Sequence, residues 1–450
     1  MNNKFKLKNT LKKAIFLSFF PFLSESYAQE HNYGEALQKS IYFYDAQRAG
    51  KLPNQGNNPG ENRVLWRGDS VLNDGNDIGV DLSGGFFDAG DHAKFGFPMA
   101  ATFTLLSWGA IEYLNAYDQS GQLAYLLENI KWANDYFVAA HISDNEFVAG
   151  VGNGNSDHSF WGAPEIVHLD NTAGNRPSYK VNQSNPGSDV AAGTAASLAA
   201  AYLLFQKANQ LNPEKYGQYY QHAQNKNYLS HAISLYNFAD NYRGKYSDAI
   251  PSVSSFYNSW SGYQDELVWG ALWLYLATDN QSYLTKAENE FEPLKNGDFQ
   301  WTHNWDDATY GSLILLAMNT QNSSKASEYN AKIQSWLNYW INNLNKTPQG
   351  LAWLNMWGSL RYAANTSLLS FIYGDYLNSI GETNKANSYI NFSKSQIDYM
   401  LGDNEQNRSY VVGFGNNPPL RPHHRGASGV YTNNWSYALF NFSYSNFISK

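Results

Sequence analysis

The chain has 450 residues, a formal net charge of −8 and a charged fraction of only 16%. Such a balance offers no basic patch for nucleic acid and no block of like charge typical of a disordered tail. Cysteine is absent, which excludes disulfides and thiolate metal sites, so stability must come from the core and from bound ions.

In chain order, residues 1–28 read as an export signal. Lys4, Lys6, Lys8, Lys12 and Lys13 form a basic start, Ala14 to Leu23 is a short apolar run, and Ser26-Tyr27-Ala28 offers a small-x-small cleavage site. The run is too short to span a bilayer. No later stretch reads as a membrane span, so a soluble, secreted and monomeric protein is expected. Helical periodicity then recurs at 33–49, 98–117, 119–141, 187–209, 224–243, 263–278, 280–291, 306–320, 323–344, 358–380 and 383–402. In 119–141 the residues Leu123, Leu126, Leu127, Ile130, Ala133 and Phe137 share one stripe. Gly187-Ser188-Asp189 reads as the cap of the Ala-rich helix that follows. The long non-helical stretches are 50–97, 142–186, 244–262 and 402–450, and loops of that length usually carry function. No composition break divides residues 29–450, so one domain is expected. The class is all-α, and eleven helices in hairpin order suggest a toroid of helical hairpins with one helix missing.

The chemistry concentrates in the loops. In Gly84-Gly85-Phe86-Phe87-Asp88-Ala89-Gly90-Asp91-His92, two carboxylates stand three residues apart among aromatics. An apolar frame and mutual repulsion both oppose their ionisation, which suits a group that holds and deprotonates a water. A plain Asp-Gly turn with solvated acids is the alternative. Asp157-His158 with Phe160-Trp161 could bind a sugar hydroxyl and stack on its ring, or serve only structure. In Tyr257 to Glu266, Ser261 could cap a helix with Asp265 and Glu266 in its first turn. The same oxygens, with the Ser261 and Gly262 carbonyls and Asp306 or Asp307, could instead hold a hard cation such as calcium. Trp353, Trp357, Arg361 and Tyr362 fall at a helix start. The Gly- and Pro-rich stretch 411–425 delivers His423, His424 and Arg425, fitted to a sugar hydroxyl or a carboxylate. No zincin, serine-hydrolase, P-loop or dinucleotide motif occurs. Aromatics make up 16% of the chain, and flat rings stack on sugar faces as well as filling cores. Export, rings and paired acids together favour a carbohydrate ligand.

Taken together, Tyr33-Gly34-Glu35-Ala36-Leu37, Trp66 to Ser70, Gly84 to His92, Pro177 to Lys180, Pro186 to Ala192, Tyr257 to Glu266, Leu351 to Tyr362 and Val411 to Arg425 resemble glycoside hydrolase family 9. That is the family of inverting endo-β-1,4-glucanases, or cellulases. The resemblance implies an (α/α)6 barrel with an open groove at one end, acting on cellulose or a soluble β-1,4-glucan. It implies Asp91 as general base, Asp88 as the partner that positions the water, and His423 and Arg425 at the cleavage point. His158, Trp161, Tyr257, Trp260, Trp301, Trp357, Arg361 and Tyr362 match groove positions for neighbouring glucose units. Ser261, Gly262, Asp265, Glu266 and Asp306 match a structural calcium site; no cofactor is implied for the chemistry. Gly193 stands where a Glu is common. The family's general acid is a Glu beyond the His-His-Arg loop, yet residues 426–450 contain no Asp or Glu. The barrel is therefore expected to lack its last helix and turnover to be reduced, with a glucan-binding homologue without turnover as the alternative.

Overall fold

Nearly every face of one helix is apolar or small, and the rest of the fold surrounds it. The computed structural model describes residues 31–321 and 324–428. The expected export segment, and the stretch 429–450 on which the missing-helix expectation rests, lie outside the described residues. From Tyr33 onward the long helices are α1 (Tyr33–Gln47), α2 (Gly96–Glu112), α3 (Leu123–Ala140), α4 (Ser188–Leu211), α5 (Pro213–Asn225), α6 (Tyr228–Asn241), α7 (Gln264–Thr278), α8 (Gln281–Phe291), α9 (Thr309–Asn319), α10 (Ala326–Asn342), α11 (Ser359–Ser379) and α12 (Thr383–Leu401).

Helices α2, α4, α7, α9 and α11 each pack on the next, forming an inner arc. Their sequences explain it: α4 carries Ala at most of its contact positions and is buried along its whole first half, which lets α2, α6 and α7 approach closely. Helix α4 is long and apolar enough to cross a membrane, but it is a core helix here. The outer helices show one stripe only. In α10 that stripe is Tyr329, Ile333, Trp336, Leu337 and Trp340, the spacing of one helical face.

Sequence periodicity locates eleven of these helices to within a few residues at most ends, but misses α5, whose apolar content is low. The expected helix 98–117 is broken at Tyr113 into α2 and a short six-residue helix, Leu114–Gln119. The expected cap is also different. Gly187 is the N-cap and offers no side chain, while Ser188 donates to the Ala239 carbonyl and Asp189 accepts from Tyr246 N–H.

A small antiparallel sheet lies outside the helical pattern. Strand β3 (Glu146–Val151) pairs along one edge with β4 (Ser178–Asn182), and along the other with β1 (Lys94–Phe95) and β2 (His141–Ser143). The register sets Lys94 opposite Val151 and Phe95 opposite Gly150. That pairing brings the segment before β1, which carries Asp88 and Asp91, beside the segment after β3, which carries Asp157 and His158.

Lys94 pins the same region. Its fully buried ammonium donates to the carbonyls of Leu82 (2.6 Å), Ser83 (3.1 Å) and Gly84 (2.9 Å) and pairs with Asp74 at 2.8 Å. Arg176 holds Asp74 from the other side. Lys94→Met would leave three inward carbonyls and a half-neutralised carboxylate in the core. We expect a loss of about 3–5 kcal/mol of stability, the usual cost of breaking a buried pair, read as a lower guanidinium midpoint with an unchanged slope.

Candidate active site

The acid loop is built from backbone hydrogen bonds. Asp88 N–H donates to Ala93 O, Asp91 N–H to Asp88 O, and Ala93 N–H to Asp91 Oδ1, each at 2.9 Å. Ala89 sits at φ 41°, in the left-handed region, and this tight reversal turns both carboxylates to one side. Gln47, at the end of α1, donates to the Ala89 carbonyl and bonds His424, tying the loop to the His-His-Arg segment. A side chain at Gly90 would place its Cβ 2.2 Å from the His423 carbonyl, so only glycine admits the two loops at this distance. Arg425 N–H then donates to Gly90 O at 2.9 Å.

The two acids meet different neighbours. Both oxygens of Asp88 accept from the Tyr257 hydroxyl, at 2.6 and 2.7 Å. Burial still pushes Asp88 up to about 6, with the Asp157 charge adding and the Tyr257 bond opposing. Asp91 is 6% exposed, and its Oδ2 lies 3.6 Å from His158 Nε2. Burial, then the charges of Asp88 and Asp157, hold it well above the ordinary carboxylate value. The two titrate as a pair, so the direction belongs to both.

The predicted groove residues divide. Trp260 and Trp357, 77% and 78% exposed, present open faces, and Trp353 and Trp301 are also exposed. Trp301 packs edge-on against Tyr362, over which Arg361 lies at 4.7 Å. Tyr257 joins Phe95 and Trp305 in a ring cluster beside Asp88. His423 is exposed, with its ring edge-on to Trp161 at 4.9 Å.

Two expectations are corrected. Trp161 is 1% exposed: Arg425 covers its face at 5.3 Å and its Nε1 donates to Ser428, so it supports the loop and offers no stacking face. Arg425 is buried too, lying over Trp161 and donating to the Phe160 and Gly90 carbonyls, so it ties these loops together. Hydropathy cannot tell a tryptophan under a loop from one on it.

A cavity of about 550 Å³ opens beside the acids, between α1, α2 and α11. Asp88, Tyr257, Trp305 and Arg361 stand at its polar end, and Phe43 and Phe103 line its apolar part.

A second cluster lies behind Trp260. The Asp306 carboxylate accepts from Trp260 N–H at 2.7 Å and from Ser261 N–H, and the Ser261 hydroxyl donates to the Asp306 carbonyl. Asp265 accepts from Ala308 N–H at 2.7 Å and lies 3.3 Å from the Ser261 hydroxyl. Tyr263 precedes α7 as its N-cap, so Ser261 is not the helix cap. Burial raises Asp189, Asp265, Asp306 and Asp307 each to about 7, and Glu266 well above its usual value. None of the five is in an ion pair among the described residues, and Glu266 Oε2 is buried without a hydrogen bond. This is an oxygen-rich donor set short of positive charge, which fits a hard cation. Gly262, at φ 102°, shapes the turn. Asp189, held through Ser259, belongs to this group, although its sequence position suggests only a helix start.

Gly193 faces Ala100 and Glu266 at ordinary contact distances, so the missing side chain leaves the helix packing intact.

Two neighbouring acids, one of them buried, beside open aromatics on a scaffold of helical hairpins are the kind of arrangement that glycoside chemistry uses. The model of "Glycosyl hydrolase family 9" matches residues 33–446. The chain belongs to that family. Endoglucanase 4 of Bacillus sp. (strain KSM-522) is 47% identical over 413 residues, covering 90% of this chain and 61% of the relative. Endoglucanase B of Cellulomonas fimi is 46% identical over 90% of this chain and 37% of its own length. The chain thus spans about three fifths or less of these curated relatives. Among solved structures, the endoglucanase of the termite Nasutitermes takasagoensis superposes with TM-score 0.77 at 46% identity, over 88% of this chain and 84% of that one. Endoglucanase CelQ of Clostridium thermocellum, solved with cellotriose, gives TM-score 0.77 at 40% identity, over 90% of this chain and 62% of that one. The fold is that of these (α/α)6 barrels.

Proposed function

We infer that the protein is a secreted endo-β-1,4-glucanase that cleaves internal bonds of cellulose or a related glucan with inversion. The observation that carries this reading is the Asp88–Asp91 pair, with Asp91 buried and facing His158, beside open tryptophans. Trp260, Trp357 and Trp301 would stack on successive sugar rings, and Arg361 and Tyr362 would bind between them. Tyr257, fixed on Asp88, keeps that acid oriented. Asp91 takes the proton from a water that Asp88 helps hold, and the water attacks the anomeric carbon from the face opposite the leaving oxygen. The glycosidic C–O bond breaks, and the departing oxygen takes its proton from solvent, since no described residue is assigned as general acid and turnover is accordingly reduced. His423 donates to a hydroxyl of the ring being cut. The test is proton NMR of fresh cello-oligosaccharide digests: α-anomeric product appears first if the bond inverts, and β-anomeric product would overturn the reading.

The raised acids make a pH prediction. A base works only when ionised, so a pKa above the ordinary carboxylate value moves the acid limb of kcat/KM upward. We expect that limb to lie above the ordinary carboxylate range, which is about pH 4. Tyr257→Phe removes the bond that favours ionised Asp88; a less charged Asp88 repels the Asp91 carboxylate less, so the limb should move down toward the ordinary value. A limb at pH 4 in both would contradict the pairing.

A structural calcium is the further part of this reading. Asp265, Asp306 and the Ser261 oxygens would hold it, with Glu266 behind, and it would neutralise the cluster under Trp260 without entering the chemistry.

A further inference from the structure

A third carboxylate stands at the acid loop and takes no part in the chemistry described above. Asp157 lies on the short helix Gly154–His158 after β3, yet one of its oxygens is within 4.8 Å of an Asp91 oxygen. It is 1% exposed, and its Oδ2 accepts from the His92 N–H at 3.1 Å, on the peptide next to Asp91. Its Oδ1 faces His92 Nδ1 at 3.8 Å, beyond hydrogen-bond reach. The His92 ring is itself buried between Phe87 and Phe160, with centroid distances of 5.5 and 5.6 Å. Among the described residues, neither ring nitrogen of His92 nor Oδ1 of Asp157 has a hydrogen bond. Burial, then Arg425, Arg176, His424 and Arg67, hold the ring well below its usual pKa, so it stays neutral and brings Asp157 no counter-charge. A buried carboxylate oxygen left without a partner costs stability, and the fold alone gives no reason to keep it.

We propose that Asp157 is a positioning residue for Asp91: it holds the peptide that follows the base and sets a third negative charge beside it, which makes Asp91 the stronger base. The proposal rests on the reading of Asp91 as base. Like charges this close oppose each other's ionisation even when partly screened. Asp157 is the member of the group best placed to keep its charge, because the His92 N–H bonds it and Arg176 and Arg425 both face it. Arg425 also faces Asp91 and works against the effect there, while Asp88 adds to it. The remaining titratable neighbours of Asp91 are His158, at 3.6 Å, and Tyr257, whose hydroxyl is bound to Asp88. A base that holds the water's proton more tightly pulls harder on it in the transition state. The three carboxylates titrate together, so the acid limb belongs to the group.

Asp157→Asn in the full chain separates the two roles, because the amide oxygen still accepts from the His92 N–H while the charge is gone. On a soluble β-1,4-glucan the acid limb of kcat/KM should move down by about one pH unit. The plateau kcat should fall roughly three- to tenfold with KM unchanged. Asp157→Ala removes the acceptor as well and should lower kcat further at the same limb. An unmoved or raised limb in Asp157→Asn overturns the proposal, and equal kcat in the two variants overturns the hold on the peptide. A second measurement needs no turnover and no change at Asp157: carbon-13 NMR of the full chain labelled at aspartate carboxyls, with the Asp91 signal assigned by its loss in Asp91→Asn. In Asp88→Asn that signal should still record two titration steps, its own and that of Asp157, and a single step overturns the proposal. If the two steps are present but the wild type cleaves no glucan, the coupling stands and the hydrolase reading is lost.

Discussion

Asp91→Asn is expected to lower kcat on a β-1,4-glucan by roughly 10²–10⁴-fold, the range for losing a positioned general base. The substitution keeps the size of the side chain and the acceptor for Ala93 N–H, so the loop should hold and KM should change little. Circular dichroism and unfolding midpoint are the controls. The assay should include dinitrophenyl β-cellobioside, whose leaving group needs no proton, so that weak acid assistance cannot hide the loss of the base. Asp88→Asn should cost less, because Asp88 acts on the water through its orientation. An Asp91→Asn variant with near-normal turnover on both substrates would remove Asp91 from the mechanism.

The second large effect concerns the acid cluster behind Trp260. Removing calcium with a chelator should lower Tm by roughly 5 °C, since a ligand present at a hundredfold excess over Kd stabilises by about 2.7 kcal/mol. The reason is electrostatic: Asp189, Asp265, Glu266, Asp306 and Asp307 are packed together without a cationic partner among the described residues, so ionising them together is unfavourable until a cation arrives. Asp265→Ala should abolish the difference between calcium-loaded and chelated protein. Turnover should drop less than Tm, because the cluster supports Trp260 from behind and touches no reacting atom. Identical melting curves with and without chelator would sink the calcium assignment.

Helical periodicity alone located the hairpins of the ring, because each outer helix buries one stripe and each inner helix is apolar nearly all round. It also isolated the loops that carry Asp88, Asp91, His158 and His423. Local pattern could not reveal the four short strands, since Lys94-Phe95 and His141 to Ser143 are too brief for any alternation to register. Nor could it separate tryptophans by role: Trp260 and Trp161 sit in similar aromatic, Gly-rich stretches, and only packing leaves the first open and buries the second beneath Arg425. The carboxylates behave the same way. Residue type and spacing set out which acids are available, but the company each one keeps is decided by segments far apart in the chain. The strand pairing of Lys94 with Val151 brings Asp157 to Asp91, and the hydroxyl of Tyr257 reaches Asp88 across 169 residues. Ionisation depends on distance and burial, and those quantities exist only once the chain has closed on itself.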